Sequence, residues 1–280
     1  MSVTVFCAVI LAALLHATWN FIVKGGEDKA LNMTGVVLGN LPIAFLFLFF
    51  VPQPMPESWP YIISGLIFHA GYQLLLLKSY RIGDLTQVYP IARGTAPLLV
   101  ALVSVLFLGV SLRPVAQLSI VIIGAGILSL GLVRHQDGLR NSHAAWFAFF
   151  TGCFIAAYSL NDGTGARLAG TAIGFYCWLA IGNTIVWVII MGLINPEVLK
   201  ALPIKGKQVF FVGGGASFIA YTLVIWSFTQ APIALVTALR EISIIFALLM
   251  GALFLGEKLN VTKVFSAMMI LLGAILMRFS

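Results

Sequence analysis

Residues 93–109 read RGTAPLLVALVSVLFLG, and residues 240–256 read REISIIFALLMGALFLG. Each stretch opens on an arginine inside an apolar run, and each closes on Leu-Phe-Leu-Gly, at 106–109 and again at 253–256. The arginines are 240 − 93 = 147 positions apart in a chain of 280 residues. An apolar phrase repeated after about half the chain, with one charge at the same depth in each copy, implies an internally duplicated set of membrane helices.

Composition supports a lipid environment. The chain is 61% hydrophobic and only 9% charged, whereas a soluble domain needs roughly a quarter of its residues charged to coat its surface. About 20 apolar residues cross a bilayer as a helix, and short polar connections separate runs of that length here. Runs such as Leu41 to Val51 show no polar–apolar alternation, which excludes a membrane β-barrel. The fold class expected is an all-α membrane protein.

Hydropathy places spans near 3–23, 31–51, 59–80, 85–108, 113–133, 144–162, 171–194, 208–230, 232–255 and 261–279. Pro232 is a natural helix starter and divides the eighth span from the ninth, since the uninterrupted run would be too long for one crossing. The polar stretch RHQDGLRNSH, from Arg134 to His143, is the natural hinge. It divides the chain into a first repeat, 1–138, and a second, 139–280, within one transmembrane domain. Five crossings per repeat is an odd number, so the second copy enters the membrane the other way. The two halves are then related by a pseudo-two-fold axis in the membrane plane, with span 4 matched to span 9 and span 1 to span 6.

The net charge of +7 does not point to nucleic acid, because Lys and Arg fall singly or in pairs between the apolar runs. One set of connections holds Lys24, Lys29, Lys78, Arg81, Arg134, Arg140, Lys200, Lys205, Lys207, Lys258 and Lys263, and the other holds Arg113, Arg167 and Arg278. The richer set is expected in the cytoplasm, with both termini outside. The N-terminus lacks the basic region of a signal peptide, so the first span is expected to be retained. Cys7, Cys153 and Cys177 are widely spaced inside spans and read as small buried residues rather than a disulfide or metal site.

Arg93 and Arg240 each lie about eight residues into a span, roughly 12 Å at the helical rise. An arginine there costs at least ~2.5–3.5 kcal/mol unless something offsets it. Two readings follow: guanidinium groups that bind an anionic solute bidentately, or helix-tying salt bridges such as Arg93 with Glu241. Glu241 is the one carboxylate well inside a span, either paired with an arginine or carrying protons. Asp162 sits at the expected end of span 6, where a solvated helix end explains it equally well.

Polar faces surround these charges. His16, Trp19, Asn20 and Lys24 share one face of span 1, and Tyr158, Asn161 and Asp162 have similar spacing in span 6. His69, Tyr72 and Gln73 share a face of span 3. Tyr89 precedes Arg93 by one turn, with Pro90 and Pro97 loosening the backbone nearby. Tyr176, Asn183, Tyr221 and Trp226 add to spans 7 and 8. Taken singly, each is explained by helix-to-helix hydrogen bonding or interfacial anchoring; as a set they suggest a polar, aromatic-lined substrate site. Gly213, Gly214 and Gly215 read as a close helix contact. No metal-ligand spacing, Walker motif or nucleophile elbow is present, and no cofactor is expected.

The chain resembles, over essentially its whole length, the EamA-type branch of the drug/metabolite transporter superfamily. The most specific piece is LFLGEKLN, Leu253 to Asn260, similar to a Leu-Gly-Glu-Lys/Arg-Leu ending in that family; HATWNFIVK, His16 to Lys24, resembles the polar first helix of several members. The first repeat departs from the pattern, with Val110 and Ser111 after Gly109, so Glu257 and Lys258 read as structural. The resemblance implies ten helices in two inverted repeats. It also implies cytoplasmic termini, opposite to the loop count, and substrates ranging from amino acids to drugs and nucleotide sugars.

The function expected is a secondary transporter in a bacterial inner membrane, not an enzyme. It would move a small polar solute, an amino acid or related anionic or zwitterionic compound, by alternating access at a midplane cavity, with protons as a candidate coupling ion. Arg93, Arg240 and Glu241 would be its charged groups, with His16, Trp19, Asn20, His69, Tyr72, Tyr89, Tyr158 and Tyr221 around the solute. The alternatives are an exporter of lipophilic cations, which two intramembrane arginines oppose, and a membrane enzyme acting on a lipid intermediate, which the short, acid-poor loops oppose. A non-transporting receptor would not need charges at matching depth in two repeats.

Overall fold

Caps and polar breaks cut the apolar runs into helices. The computed structural model describes residues 1–25, 28–82, 85–131, 142–255 and 261–279. In chain order the helices are α1 (Val3–Gly25), α2 (Lys29–Phe47), α3 (Trp59–Ile82), α4 (Leu85–Leu106), α5 (Pro114–Gly131), α6 (Ser142–Leu168), α7 (Ala172–Ile194), α8 (Pro196–Lys205), α9 (Gly214–Gln230), α10 (Ile233–Arg240), α11 (Ser243–Leu255) and α12 (Val261–Arg278). A 3-10 turn at Pro56–Ser58 leads into α3, and a π-helical turn at Val209–Gly213 leads into α9. Asp28 caps α2 by accepting from the amides of Ala30 and Leu31, and Thr171 caps α7 by accepting from Gly174. Such caps satisfy amides that the first helical turn leaves without partners.

Among the described residues, seven helical stretches are long and apolar enough to cross a membrane: Val3–Ile22, Lys29–Phe47, Pro56–Ser79, His143–Leu168, Ala172–Ile194, Val209–Gln230 and Ile233–Phe254. Ile91–Leu106, Pro114–Ser129 and Val261–Met277 are shorter apolar helices. Large apolar side chains such as Ile67, Phe107, Val121, Leu193, Phe254 and Phe265 are exposed, as lipid contact requires of a chain with so few charges. The protein is an integral, multi-pass, all-α membrane protein.

Several details differ from the sequence expectation. The second span ends at Phe47, not near 51, and span 6 extends to Leu168. The extra helix α8 lies between α7 and the π turn, with Glu197 and Lys200 exposed and paired at 2.8 Å. That carboxylate holds the Lys200 ammonium above the usual lysine range. Helix α4 continues unbroken through Pro90 and Pro97, whereas the expected ninth span is broken after Arg240. Of the cysteines, only Cys177 is buried; Cys153 is half-buried and Cys7 exposed, and all three are free. Of the expected hinge from Arg134 to His143, Ser142 and His143 begin α6, whereas residues 132–141 with the repeat boundary, 256–260, Ser280, and the side chains of Lys24 and Tyr89 lie outside the described residues.

The chain forms two compact units, each drawn from both halves of the sequence. Unit 1 comprises Met1–Ile10, Gly71–Leu160 and Ala231–Ser280; unit 2 comprises Leu11–Ala70 and Asn161–Gln230. In unit 1, α5 packs along both α4 and α12. Ser129 and Ser266 meet there at 2.7 Å, while each also bonds to a carbonyl of its own helix.

In unit 2, α2 packs against α7, α8, α9 and the π turn. Thr184 donates to the Val37 carbonyl at 3.1 Å, and Trp187 Nε1 donates to Thr34 Oγ1 at 3.1 Å. Where α2 meets the start of α9, a Cβ on Gly39 would fall 2.0 Å from the Phe210 carbonyl oxygen and 2.9 Å from the Gly214 Cα. Two backbones touch there, as the glycines near 213–215 led us to expect. Membrane helices associate through such close packing, because lipid supplies no hydrophobic drive between them.

This contact gives a direct test. Gly39→Ala should cost ~1–3 kcal/mol, the usual penalty of overpacking, seen as a lower melting temperature in detergent. Gly192→Ala, whose Cβ would meet only Leu199 at 4.0 Å, should leave the melting temperature unchanged. Equal behaviour of the two variants would show that the α2–α9 contact is looser than described.

Candidate functional site

In unit 1 the duplicated phrase supplies three charges. Arg93, on α4, is 4% exposed, Arg240, at the end of α10, is 2% exposed, and Glu241 is fully enclosed. Arg93 Nε lies 2.8 Å from Glu241 Oε2, and an Arg93 terminal nitrogen donates to Ser243 Oγ at 3.2 Å. The helix break makes this arrangement possible. Amides of Glu241, Ile242, Ile244 and Ile245 bond to carbonyls three residues back, a tightened turn through a β-branched stretch that favours helix poorly.

Arg240 is held differently. One terminal nitrogen reaches Tyr158 Oη at 3.4 Å, a long contact, and its Nε finds no hydrogen-bond acceptor among the described residues. Tyr158 lies edge-on to Tyr72, with ring centroids 5.6 Å apart. The neighbouring Gly71 lets α3 and α6 approach, since a Cβ there would lie 2.2 Å from the Phe154 ring. One turn before Arg240, Thr237 is fully buried and its hydroxyl is likewise unpartnered among the described residues. Among the described residues the enclosed charges of unit 1 are therefore two positive and one negative, and Glu241 pairs with Arg93 while also lying in the field of Arg240.

In unit 2 the enclosed charge is Asp162, 0% exposed. His69 Nε2 lies 2.8 Å from its Oδ2, Tyr221 donates to the same oxygen at 2.7 Å, and Asn161 donates to Oδ1 at 3.0 Å. Asn161 also donates to the Tyr61 carbonyl, and its own Oδ1 lies 2.6 Å from Ser64 Oγ. Tyr176 and His69 both meet the Tyr221 ring edge-on, at 5.1 and 5.5 Å between ring centroids.

The expected site residues thus separate. Arg93, Arg240, Glu241, Tyr72 and Tyr158 gather in unit 1; His69 and Tyr221 gather around Asp162 in unit 2. The polar face of α1 is also in unit 2, away from the Asp162 hydrogen bonds that the described residues make. Trp19 packs with Val36 and Val209, His16 meets Trp19 edge-on at 4.9 Å, and the Asn20 amide donates to the His16 carbonyl. Sequence reasoning left Asp162 at a solvated helix end because it ended span 6 there, whereas six more helical residues enclose it. Ser243 was passed over, since a lone serine in an apolar run carries no signal.

Residues 3–132 and 142–279 match the family described as the EamA-like transporter family. No curated protein matches the sequence. The fold is shared with solved structures. One, described only as a crystal structure of a protein, has a TM-score of 0.74 over 99% of this chain and 96% of its own, at 18% identity. At that identity the likeness concerns the fold alone.

If Arg93 and Glu241 act as a unit, Arg93→Ala alone should destabilise the protein by ~3–5 kcal/mol by leaving a buried carboxylate unpaired. Combining it with Glu241→Ala should recover much of the loss. Unfolding of the single and double variants in detergent reads the coupling, and strictly additive losses would refute it.

Proposed function

The chain belongs to the EamA-like transporter family, and we propose that this secondary transporter carries a small organic solute bearing one anionic group, with an amino acid or related zwitterion the best fit. The observation that carries this reading is the excess positive charge in unit 1. Arg240 is enclosed, has no carboxylate of its own and keeps a donor without an acceptor among the described residues. A buried donor of that kind calls for a partner, and a carboxylate offers the bidentate geometry that guanidinium prefers. Tyr72 and Tyr158 present hydroxyls and ring faces, and a ring face suits the ammonium of a zwitterion. Glu241, already engaged with Arg93, acts as charge compensation.

This assigns the clamp to Arg240 rather than to Arg93, which is engaged with Glu241. The matched depth of the two arginines supports ten spans in two inverted repeats, 1–138 and 139–280, that rock to alternate access. Protons fit as the coupling ion. The basic connections support a bacterial inner-membrane orientation with the Lys200–Lys207 segment in the cytoplasm and both termini outside.

A thermal-shift screen of the purified protein against anionic, zwitterionic and cationic metabolites tests the substrate class. Anionic and zwitterionic compounds should raise the melting temperature. Arg240→Lys should bind the best of them on the order of 10- to 150-fold more weakly, the loss of ~1.5–3 kcal/mol from a charge-assisted bidentate contact, while melting normally without ligand. Stabilisation by cations alone, or full binding in Arg240→Ala, would end this reading. For orientation, an alkaline phosphatase fused to the C-terminus should be active, and an inactive fusion would place that end in the cytoplasm.

A further inference from the structure

Two carboxylates are enclosed among the described residues, and their partners differ in kind. Glu241 faces arginine, which keeps its proton at any accessible pH. With its carboxylate ionised, that pair is charge-balanced. Among the described residues no ion pair joins Asp162 to an arginine or lysine: its hydrogen bonds come from His69, Tyr221 and Asn161. The titratable groups facing it are His69 from α3, Tyr221 from α9 and Tyr176 from α7. Arg167, further along α6, sends its Nε to the Phe228 carbonyl at 2.8 Å.

We propose that Asp162 and His69 together form the proton-carrying site of the transport cycle, a reading that rests on the protein being an ion-coupled transporter. A bare carboxylate in an enclosed apolar setting is costly, and the neighbouring hydroxyl and amide supply no compensating charge. One proton held between the Asp162 carboxylate and the His69 imidazole makes the pair neutral; its loss leaves a net charge of −1. Hydronium on one side of the membrane supplies that proton and water on the other accepts it, so only N–H or O–H bonds form and break.

The geometry favours a proton over a metal cation. Both carboxylate oxygens already accept hydrogen bonds. The cage is tight as well, since a Cβ on Gly65 would lie 3.1 Å from Asp162 Oδ1 and 2.8 Å from Leu179 Cδ1. The imidazole gives the route, because the His69 side chain is 13% exposed while Asp162 is wholly enclosed. Imidazole binds a proton at one nitrogen and releases it from the other. The helices that carry this pair also carry the tyrosines of the arginine cluster: His69 and Tyr72 are three apart on α3, and Tyr158 and Asp162 four apart on α6.

The test uses the whole protein in liposomes of phosphatidylethanolamine and phosphatidylglycerol, with a pool of radiolabelled zwitterionic amino acids as probe. With one proton per solute, a gradient of one pH unit sustains about tenfold accumulation for one sign of the gradient. Asp162→Asn and His69→Gln should lose that accumulation but keep exchange of labelled for unlabelled amino acid at equal pH, and Gly192→Ala should retain both. Wild-type accumulation in either of the first two variants, or accumulation that follows a sodium gradient instead, overturns the proposal. If the wild type moves no amino acid in either mode, the substrate reading fails separately. Infrared difference spectra on acidification then decide the proton site: a carboxyl signal absent from Asp162→Asn and altered in His69→Gln supports it, and an unchanged signal refutes it. If Asp162→Asn fails to fold, His69→Gln, which keeps the carboxylate and a hydrogen-bonding side chain, gives the same answer in both assays.

Discussion

A charge removed from water must be offset where it stands, because hydrocarbon and close-packed helices offer nothing else to solvate it. Arg93, Arg240, Glu241 and Asp162 are the enclosed charges among the described residues, and much of the local structure follows from how each is answered. Arg93 is answered by Glu241 and Ser243, Asp162 by histidine, tyrosine and asparagine, and Arg240 by a single long contact with a tyrosine hydroxyl. These are three grades of compensation. A carboxylate answers one guanidinium, imidazole, hydroxyl and amide groups answer the lone aspartate, and a tyrosine hydroxyl answers the second guanidinium. Buried ion pairs contribute little net stability once desolvation is counted, so their value here lies in placing specific groups.

Backbone packing determines how closely those groups meet. The contact of α2 with the start of α9 and that of α3 with α6 both depend on a glycine where any side chain would collide. The second of these brings the Tyr72 and Tyr158 rings together above the arginine cluster. Hydroxyls of Ser79, Thr95, Thr151 and Ser159 turn back onto carbonyls of their own helices, which hides polar atoms from lipid without specifying a partner.

The interruption between α10 and α11 connects these themes. The backbone tightens for one turn at Glu241 and Ile242, leaving Arg240 as the last residue of one helix and Ser243 as the first of the next. Successive residues of a continuous helix point about 100° apart. At this break the two charges take different partners, Arg240 in Tyr158 and Glu241 in Arg93. Irregular backbone inside a membrane protein is tolerated where protein surrounds it, and all of Ile233 to Ile244 is buried.

The sequence by itself determined the fold class, the family and most of the apolar helices, though not the extra helix α8 or the break after Arg240. Hydropathy, spacing and charge are local properties, and in lipid they are nearly sufficient, since every backbone polar group must be satisfied within its own helix. Partners were a different matter. Only the tertiary structure decided that Glu241 pairs with Arg93 although it adjoins Arg240 in the chain, that His69 meets Asp162, and that Trp19 of α1 packs with Val36 and Val209. Contact between residues 93 positions apart, or 148, depends on which helices pack together and where glycine lets them approach, and no periodicity along one helix encodes that.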